Sequence, residues 1–275
     1  MSALVLPPEI FASVAAWLNR QSGMLLSADK TYLLETRLQP VAAEHGYAST
    51  LALLEAVHSS SLRSTTAAAI IEAMTTNESL FFRDGKPFDA LITTMLPALQ
   101  ARGAHEISIW SAACSSGQEA YSIAMRLSEH PATTKGTRIA LEASDLSASM
   151  VARARSGVYS QLEVQRGLPI THLLKFFTQI EPQRWQIKPE LITMIRFFEH
   201  NLLSAPPAAP YHIIFCRYVL IYFDEATRAA ILQKISASLA PGGYLVLGSS
   251  EAIRDAASFD LSAMENCSGG FVKAL

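Results

Sequence analysis

The sequence predicts an α/β fold preceded by an all-helical segment, and three observations lead there. Up to about residue 75 the apolar residues recur at the helical period. Beyond that point short apolar runs alternate with helical stretches, the pattern of a sheet covered by helices. Half of the 275 residues are apolar, which supplies a substantial core. The expected division is a helical domain over 1–75 and a sheet domain over 76–275, the latter carrying an insertion at about 160–195.

In the first part, Ile10, Val14 and Leu18, then Leu34, Leu38 and Val41, then Leu51, Leu54 and Val57, then Ala69, Ile70 and Ala73 mark four helices. Ser22-Gly23, the HGYAS stretch at 45–49 and the serines at 59–61 separate them. In the second part, Ile107 to Trp110 reads as a buried strand followed by a loop and a helix from about Glu119. Arg138 to Ala143 precedes a helix from Ser147, and further strands are expected at Ile195 to Phe198, Tyr211 to Cys216 and Gly243 to Gly248. APPAAP at 205–210 is a stiff connector. Within 160–195 a helical piece near 170–178 leads into EPQRWQIKP, whose two prolines argue against a central strand and for a small edge hairpin.

The formal net charge is −2 with acids and bases interspersed, and no block of lysines and arginines marks a nucleic-acid or membrane-surface tract. Cys114, Cys216 and Cys267 form an odd set without CxxC spacing, as in a reducing cytoplasm. MSALVLPPEIF has no basic n-region, and the longest apolar run, Tyr218 to Phe223, is far too short to span a bilayer, so a protein neither exported nor embedded is expected.

Candidate chemistry gathers where strands hand over to helices. The small residues of IWSAACSSGQEAYSIAM (109–125) and Gly117 at the turn allow a ligand to approach backbone amides, although such a turn also occurs with no ligand role. Glu119 near the helix start suits either a ligand or the helix dipole. Asp145, ending the second strand, is placed like a ribose acceptor and equally like a helix cap. TTNESLFFRDGKPF (75–88) sets small polar groups, two phenylalanines and Arg83 side by side, where core packing and a solvated arginine are the plain alternatives. Tyr222 closes an apolar run where a strand is expected to give way to a loop. The seven histidines show no metal-ligand spacing, so no metal is expected.

TNESLFFRD (76–84), WSAACSSGQEAYSIA (110–124), ASDLS (143–147) with ARSGVYS (154–160), FFEHNLL (197–203), FCRYVLIYF (215–223) and LAPGGYLVLGSSE (239–251) together resemble the chemotaxis receptor glutamate O-methyltransferases, the CheR family. The blocks run in the family's order over nearly the whole chain. The resemblance implies a Rossmann-like class I S-adenosylmethionine-dependent methyltransferase domain with a small inserted antiparallel β-subdomain, preceded by an all-α domain. It also implies methyl esterification of glutamates on the cytoplasmic helical domain of chemoreceptors by a monomeric cytoplasmic enzyme.

Carried over by motif, the cofactor-binding residues are Asn77, Ser79, Arg83, Glu119, Asp145, Asn201, Leu202, Arg217 and Tyr218, and the catalytic pair is Arg83 and Tyr222. Phe81 and Phe82 would wall the site. Arg83 would offer a planar fork to a carboxylate, either the methionyl end of the cofactor or the incoming glutamate. Lys30 and Arg37, seven residues apart, have the spacing to share one helix face toward the acidic methylation region of the receptor, with a solvated face as the plain alternative.

Three departures stand out. Gln118-Glu119-Ala120 replaces Glu-Glu-Pro, Tyr218 replaces an asparagine, and TQIEPQRWQI (178–187) is shorter than the glycine-rich loop of members that grip a receptor's C-terminal pentapeptide, so tail-independent action is expected. A module that binds cofactor without transfer, and a small-molecule methyltransferase, are the competing readings.

Overall fold

The computed structural model describes residues 6–208, 210–253, 255–265 and 267–275. The chain forms two compact units, Met1–Thr76 with Tyr222–Thr227, and Asn77–Ile221 with Arg228–Leu275.

The first unit contains α1 (Pro8–Ser22), α2 (Thr31–Glu44), α3 (Thr50–His58) and α4 (Ser64–Met74). Most of the expected faces are buried, with Val14, Leu18, Leu34, Leu38, Leu54 and Ile70 fully enclosed, but on α4 the expected Ala69 and Ala73 are only half-buried and the buried face is Thr66, Ile70 and Met74. On α3, Leu53 joins this core and Leu51 is only half-buried. α1 stops where Gly23 turns left-handed at φ 76° and returns its N–H to Asn19. Ser49 caps α3 by accepting the Ala52 N–H at 3.1 Å. Late in the chain, residues 222–227 rejoin this unit: Leu25 donates to the Tyr222 carbonyl at 2.9 Å, and Phe223 bridges Met24.

Lys30 and Arg37 do not share a helix face. Lys30 closes a 3-10 turn, Ala28–Lys30, that precedes α2. The Arg37 guanidinium turns toward the end of α4, donating to the Met74 and Thr75 carbonyls at 2.7 and 2.9 Å, groups that a helix terminus leaves without intrahelical donors.

The second unit runs α5 (Lys86–Ala90), a π-helical turn (Leu91–Met95), α6 (Leu96–Ala101), β1 (Glu106–Ala112), α7 (Gln118–Glu129), α8 (Pro131–Thr134), β2 (Arg138–Asp145) and α9 (Ala148–Ser156). It continues through β3 (Val158–Ser160), α10 (Gln161–Gln165), α11 (Ile170–Phe176), β4 (Phe177–Glu181), β5 (Arg184–Ile187), α12 (Pro189–Ile192), β6 (Ile195–Glu199) and β7 (Tyr211–Cys216), and closes with α13 (Glu225–Ser238), β8 (Leu239–Val246), β9 (Leu261–Ala263) and β10 (Gly270–Lys273). The large sheet has the order β6-β2-β1-β7-β8-β10-β9. Its first five strands are parallel, and β10 and β9 are antiparallel additions. The second halves of β1 and β7 are buried on both faces, as the unbroken apolar run Ile213 to Cys216 reflects.

Two expectations change in detail. The strand expected at Gly243 to Gly248 begins earlier, at Leu239, because β8 pairs with Tyr211 there. It then loops out Pro241, Gly242 and Gly243 before resuming at Tyr244 opposite Ile213. The 160–195 insertion is a three-stranded antiparallel sheet in the order β3-β5-β4, so β5 is central rather than an edge. Both prolines escape the conflict with the ladder: Pro182 sits in the turn before β5 and Pro189 opens α12.

Strand register brings the ends together. Ala112 pairs with Ser144 and with Cys216, and Asp145 with Glu199, so the carboxyl ends of β1, β2, β6 and β7 share one edge. The strand order reverses between β1 and β7, the position at which open α/β sheets bind their ligands.

Replacing Arg37 with Met leaves the last carbonyls of α4 without their charged donor. A loss of about 1.5–3 kcal/mol is expected, read as a lower urea midpoint for the helical unit; an unchanged midpoint would assign the Arg37 contacts no weight.

Candidate active site

Most of the residues expected from sequence emerge from this one edge. The loop after β1 carries left-handed φ values at Ala113 (58°), Ser115 (51°) and Gly117 (93°). The same region of φ recurs at Phe82 (50°) and Asp84 (69°) and, directly after β7, at Tyr218 (59°). Such conformations cost energy in non-glycine residues and persist only where neighbours over-determine them. Here the neighbours are buried charges. A side chain on Gly117 would also meet the Ala154 Cβ at 2.9 Å, so this glycine serves both its φ and the close approach of α9.

Arg217 is the positive node. Its side chain is 2% exposed and lies within 3.1 Å of Glu119 and 2.6 Å of Asp84, and it donates to the Arg83 carbonyl at 2.8 Å. One guanidinium thus ties the exit of β7 to the start of α7 and to the 77–85 segment. Glu119 accepts a second bond from the Ser111 hydroxyl at 2.8 Å. Burial pushes the Glu119 carboxyl above its ordinary value, against the pull of the Arg217 cation.

Asp145 binds the loop after β1 to the loop after β2. One carboxylate oxygen accepts the Ser115 N–H at 2.7 Å and the other the Ser147 N–H at 2.9 Å. Ser115 in turn donates to the Asn77 carbonyl at 2.9 Å, and Ser122 receives the Phe82 N–H at 2.9 Å. Phe81 is fully buried, edge-on to Tyr159 and Phe177 at 5.0 and 5.7 Å, and so anchors the 77–85 segment to the small sheet. Phe82 is partly exposed against Phe88 and His172. Ser79, Leu202 and Asn201 are half-buried, and the Asn201 side chain accepts the Leu203 N–H at 2.9 Å, folding the turn after β6. Arg83 lies over the Tyr218 ring, its Cζ 3.4 Å from the ring centroid.

Tyr222 is placed differently from the rest. β7 ends at Cys216, six residues before it, and Tyr222 closes a 3-10 turn (Leu220–Tyr222) as the first residue of the segment that belongs to the first compact unit.

Two residues of the edge were not singled out from sequence. Glu251 is buried and accepts three backbone N–H groups, from Tyr218 and Gly248 on one oxygen (2.6 and 2.8 Å) and from Leu220 on the other (2.8 Å). Asp84 receives both Arg217 and the Tyr218 hydroxyl. Burial raises the thiols of Cys114 and Cys216 well above the usual range, so neither is a thiolate nucleophile. Burial also lowers His200, keeping its imidazole neutral. Among the described residues no group of three or more His, Cys, Asp or Glu side chains has the arrangement to hold a metal, and no helix is long and apolar enough to cross a membrane.

A parallel α/β sheet with strained loops and acidic side chains at its switch point is the arrangement in which doubly wound proteins bind nucleotide-like ligands. Residues 77–267 match the family described as the CheR methyltransferase, SAM binding domain, and residues 9–75 match the CheR methyltransferase, all-alpha domain. The chain is 38% identical over 267 residues to chemotaxis protein methyltransferase 1 of Pseudomonas aeruginosa, covering 95% of this chain and 96% of that one. It is 37% identical over 278 residues to the chemotaxis protein methyltransferase of Vibrio parahaemolyticus, covering all of both chains. The chain belongs to the CheR family of S-adenosylmethionine-dependent methyltransferases.

The donor set fits that cofactor. Glu119 and Asp145 bring carboxylates suited to hydroxyl or ammonium donors, Arg83 offers a cation to a carboxylate, and His200 Nε2 is buried without a hydrogen-bond partner at the same edge.

Removing Arg217 as R217M leaves Glu119 buried without its cation, at an expected cost of about 3–5 kcal/mol. The double variant R217M/E119Q, with no bare carboxylate, is expected to recover part of this. Thermal melts of the three proteins check it, and equal losses in single and double variants would contradict the pairing.

Proposed function

We propose that this chain is a protein-glutamate O-methyltransferase that esterifies glutamate side chains on the cytoplasmic helical domain of chemoreceptors, acting in the cytoplasm as a monomer. The observation that carries the reading is the convergence of three strained loops on the β1/β7 switch point, held there by Arg217, Asp145 and Glu251, in a chain whose relatives are named chemotaxis protein methyltransferases.

S-adenosylmethionine, when bound, supplies an electrophilic methyl group on a sulfonium. A glutamate carboxylate, with an ordinary pKa of about 4.3, is already ionised at neutral pH and needs no general base. The cation and anion become two neutral products, so a dry site favours the transfer once the pair is aligned. Orientation is then the protein's chief contribution, worth up to about 7–11 kcal/mol in well-aligned cases. The neutral His200 and the protonated thiols agree with a site that moves no proton.

In this reading Asn77, Ser79, Glu119, Asp145, Asn201, Leu202 and the backbone of Tyr218 hold the cofactor. Arg217 acts through Glu119 and the Arg83 carbonyl, which its two terminal nitrogens hold, while its buried Nε has no hydrogen-bond partner among the described residues. Arg83 neutralises a carboxylate near the reacting groups, and Tyr222 orients the accepting glutamate. The β4–β5 connection is a tight turn through Pro182 and Gln183, with Gln183 left-handed at φ 62°, and it supports action independent of a receptor C-terminal pentapeptide.

Incubation with receptor-containing membranes and methyl-labelled S-adenosylmethionine is expected to place base-labile label on the receptor. Label in a small metabolite, or cofactor binding with no transfer at all, would refute the assignment. Receptors with and without the C-terminal pentapeptide are expected to be methylated at similar rates; low-micromolar binding of the pentapeptide together with loss of methylation on its removal would refute tail independence.

A further inference from the structure

We infer that Tyr218 is a positioning residue, fixing the plane of the Arg83 guanidinium so that it receives a carboxylate. The inference rests on reading the carboxyl edge as a methyl-transfer site and deepens it.

A bulky aromatic at φ 59° is a backbone outlier, and Tyr218 is restrained at every point. Its N–H is held by Glu251 at 2.6 Å. Its hydroxyl meets Asp84 and, at 2.9 Å, Ser249. Gly248 makes room for the ring: a Cβ there would stand 3.0 Å from the ring's Cδ1 and Cε1. The strained backbone, the missing side chain and the two hydroxyl bonds all serve to hold one ring in one place. That ring carries Arg83, whose Cζ sits 3.4 Å above its centroid, a stacking that lysine cannot reproduce.

Among the described residues, no hydrogen bond commits the Arg83 guanidinium. The acids around it are engaged elsewhere: Asp84 with Arg217 and the Tyr218 hydroxyl, Glu119 with Arg217 and Ser111, and Glu78 with Arg166 at 2.7 Å. A long flexible cation normally loses rotamer freedom when it grips a carboxylate. Stacking on a fixed ring removes that loss beforehand and presets the plane of the fork. The carboxylate is either the amino-acid end of the cofactor or the target glutamate.

A double-mutant cycle with two arms tests this: S-adenosylhomocysteine affinity by calorimetry, and kcat and KM for methyl transfer to receptor membranes. R83A and Y218L are each expected to cost about tenfold in one arm, and the double variant no more than the worse single. A loss in the calorimetric arm identifies the cofactor carboxylate, and a rise in receptor KM alone identifies the glutamate. Y218F, which keeps the ring, is expected to recover most of the Y218L loss, and R83K, which keeps charge without a planar face, to lose as much as R83A. Should Y218L unfold, the Y218F and R83K pair carries the test. Losses that multiply in both arms, Y218F as impaired as Y218L, or R83K matching wild type would overturn the inference while leaving the methyl-transfer reading intact. Wild-type protein that neither binds S-adenosylhomocysteine nor transfers methyl would remove both.

Discussion

The buried guanidinium of Arg217 is the constraint on which the site depends. A cation enclosed at the end of a parallel strand is expensive unless its partners are close and well placed. Its partners come from three separate groups: the Glu119 carboxylate at the start of α7, the side chain of Asp84 and the carbonyl of Arg83. Satisfying this one charge therefore fixes the 77–85 segment against the β1 and β7 loops. Glu251 is its anionic counterpart, gathering three backbone N–H groups from the exits of β7 and β8, and Asp145 does the same between the β1 and β2 loops. Charges from other loops hold the left-handed Asp84, Ser115 and Tyr218, and the Ser122 hydroxyl holds Phe82.

The chemistry expected of the site suits such a frame. Methyl transfer between ions of opposite charge needs alignment and exclusion of water more than acid-base catalysis. A rigid edge with its internal charges already paired leaves few groups to compete for the reactants. Arg83 is the exception, an arginine supported by a ring rather than consumed by an acid.

The large sheet was legible because parallel strands buried on both faces leave apolar runs that periodicity detects, and Tyr211–Cys216 has the expected bounds. Leu239 was missed because Pro241-Gly242-Gly243 reads as a turn, whereas the sheet loops it out of a longer strand. β5 was misplaced as an edge because its flanking prolines were weighed as if inside the strand. Glu119 and Asp145 could be suspected from their places after strands. Glu251 and Asp84 could not, since an acid beside Ser-Ser or Gly resembles any surface turn and their partners lie 33 and 133 residues away. The strain at Tyr218, which bends the chain off β7 and ends the strand well before Tyr222, has no local signature at all.

Amide hydrogen exchange with and without S-adenosylhomocysteine tests most directly whether these loops form one cofactor site. Protection is predicted to rise together in 77–85, 113–119, 200–203, 217–221 and 248–251, with β9 and β10 unaffected. Unchanged exchange at saturating ligand, or protection confined to segments away from the carboxyl edge, would contradict the account.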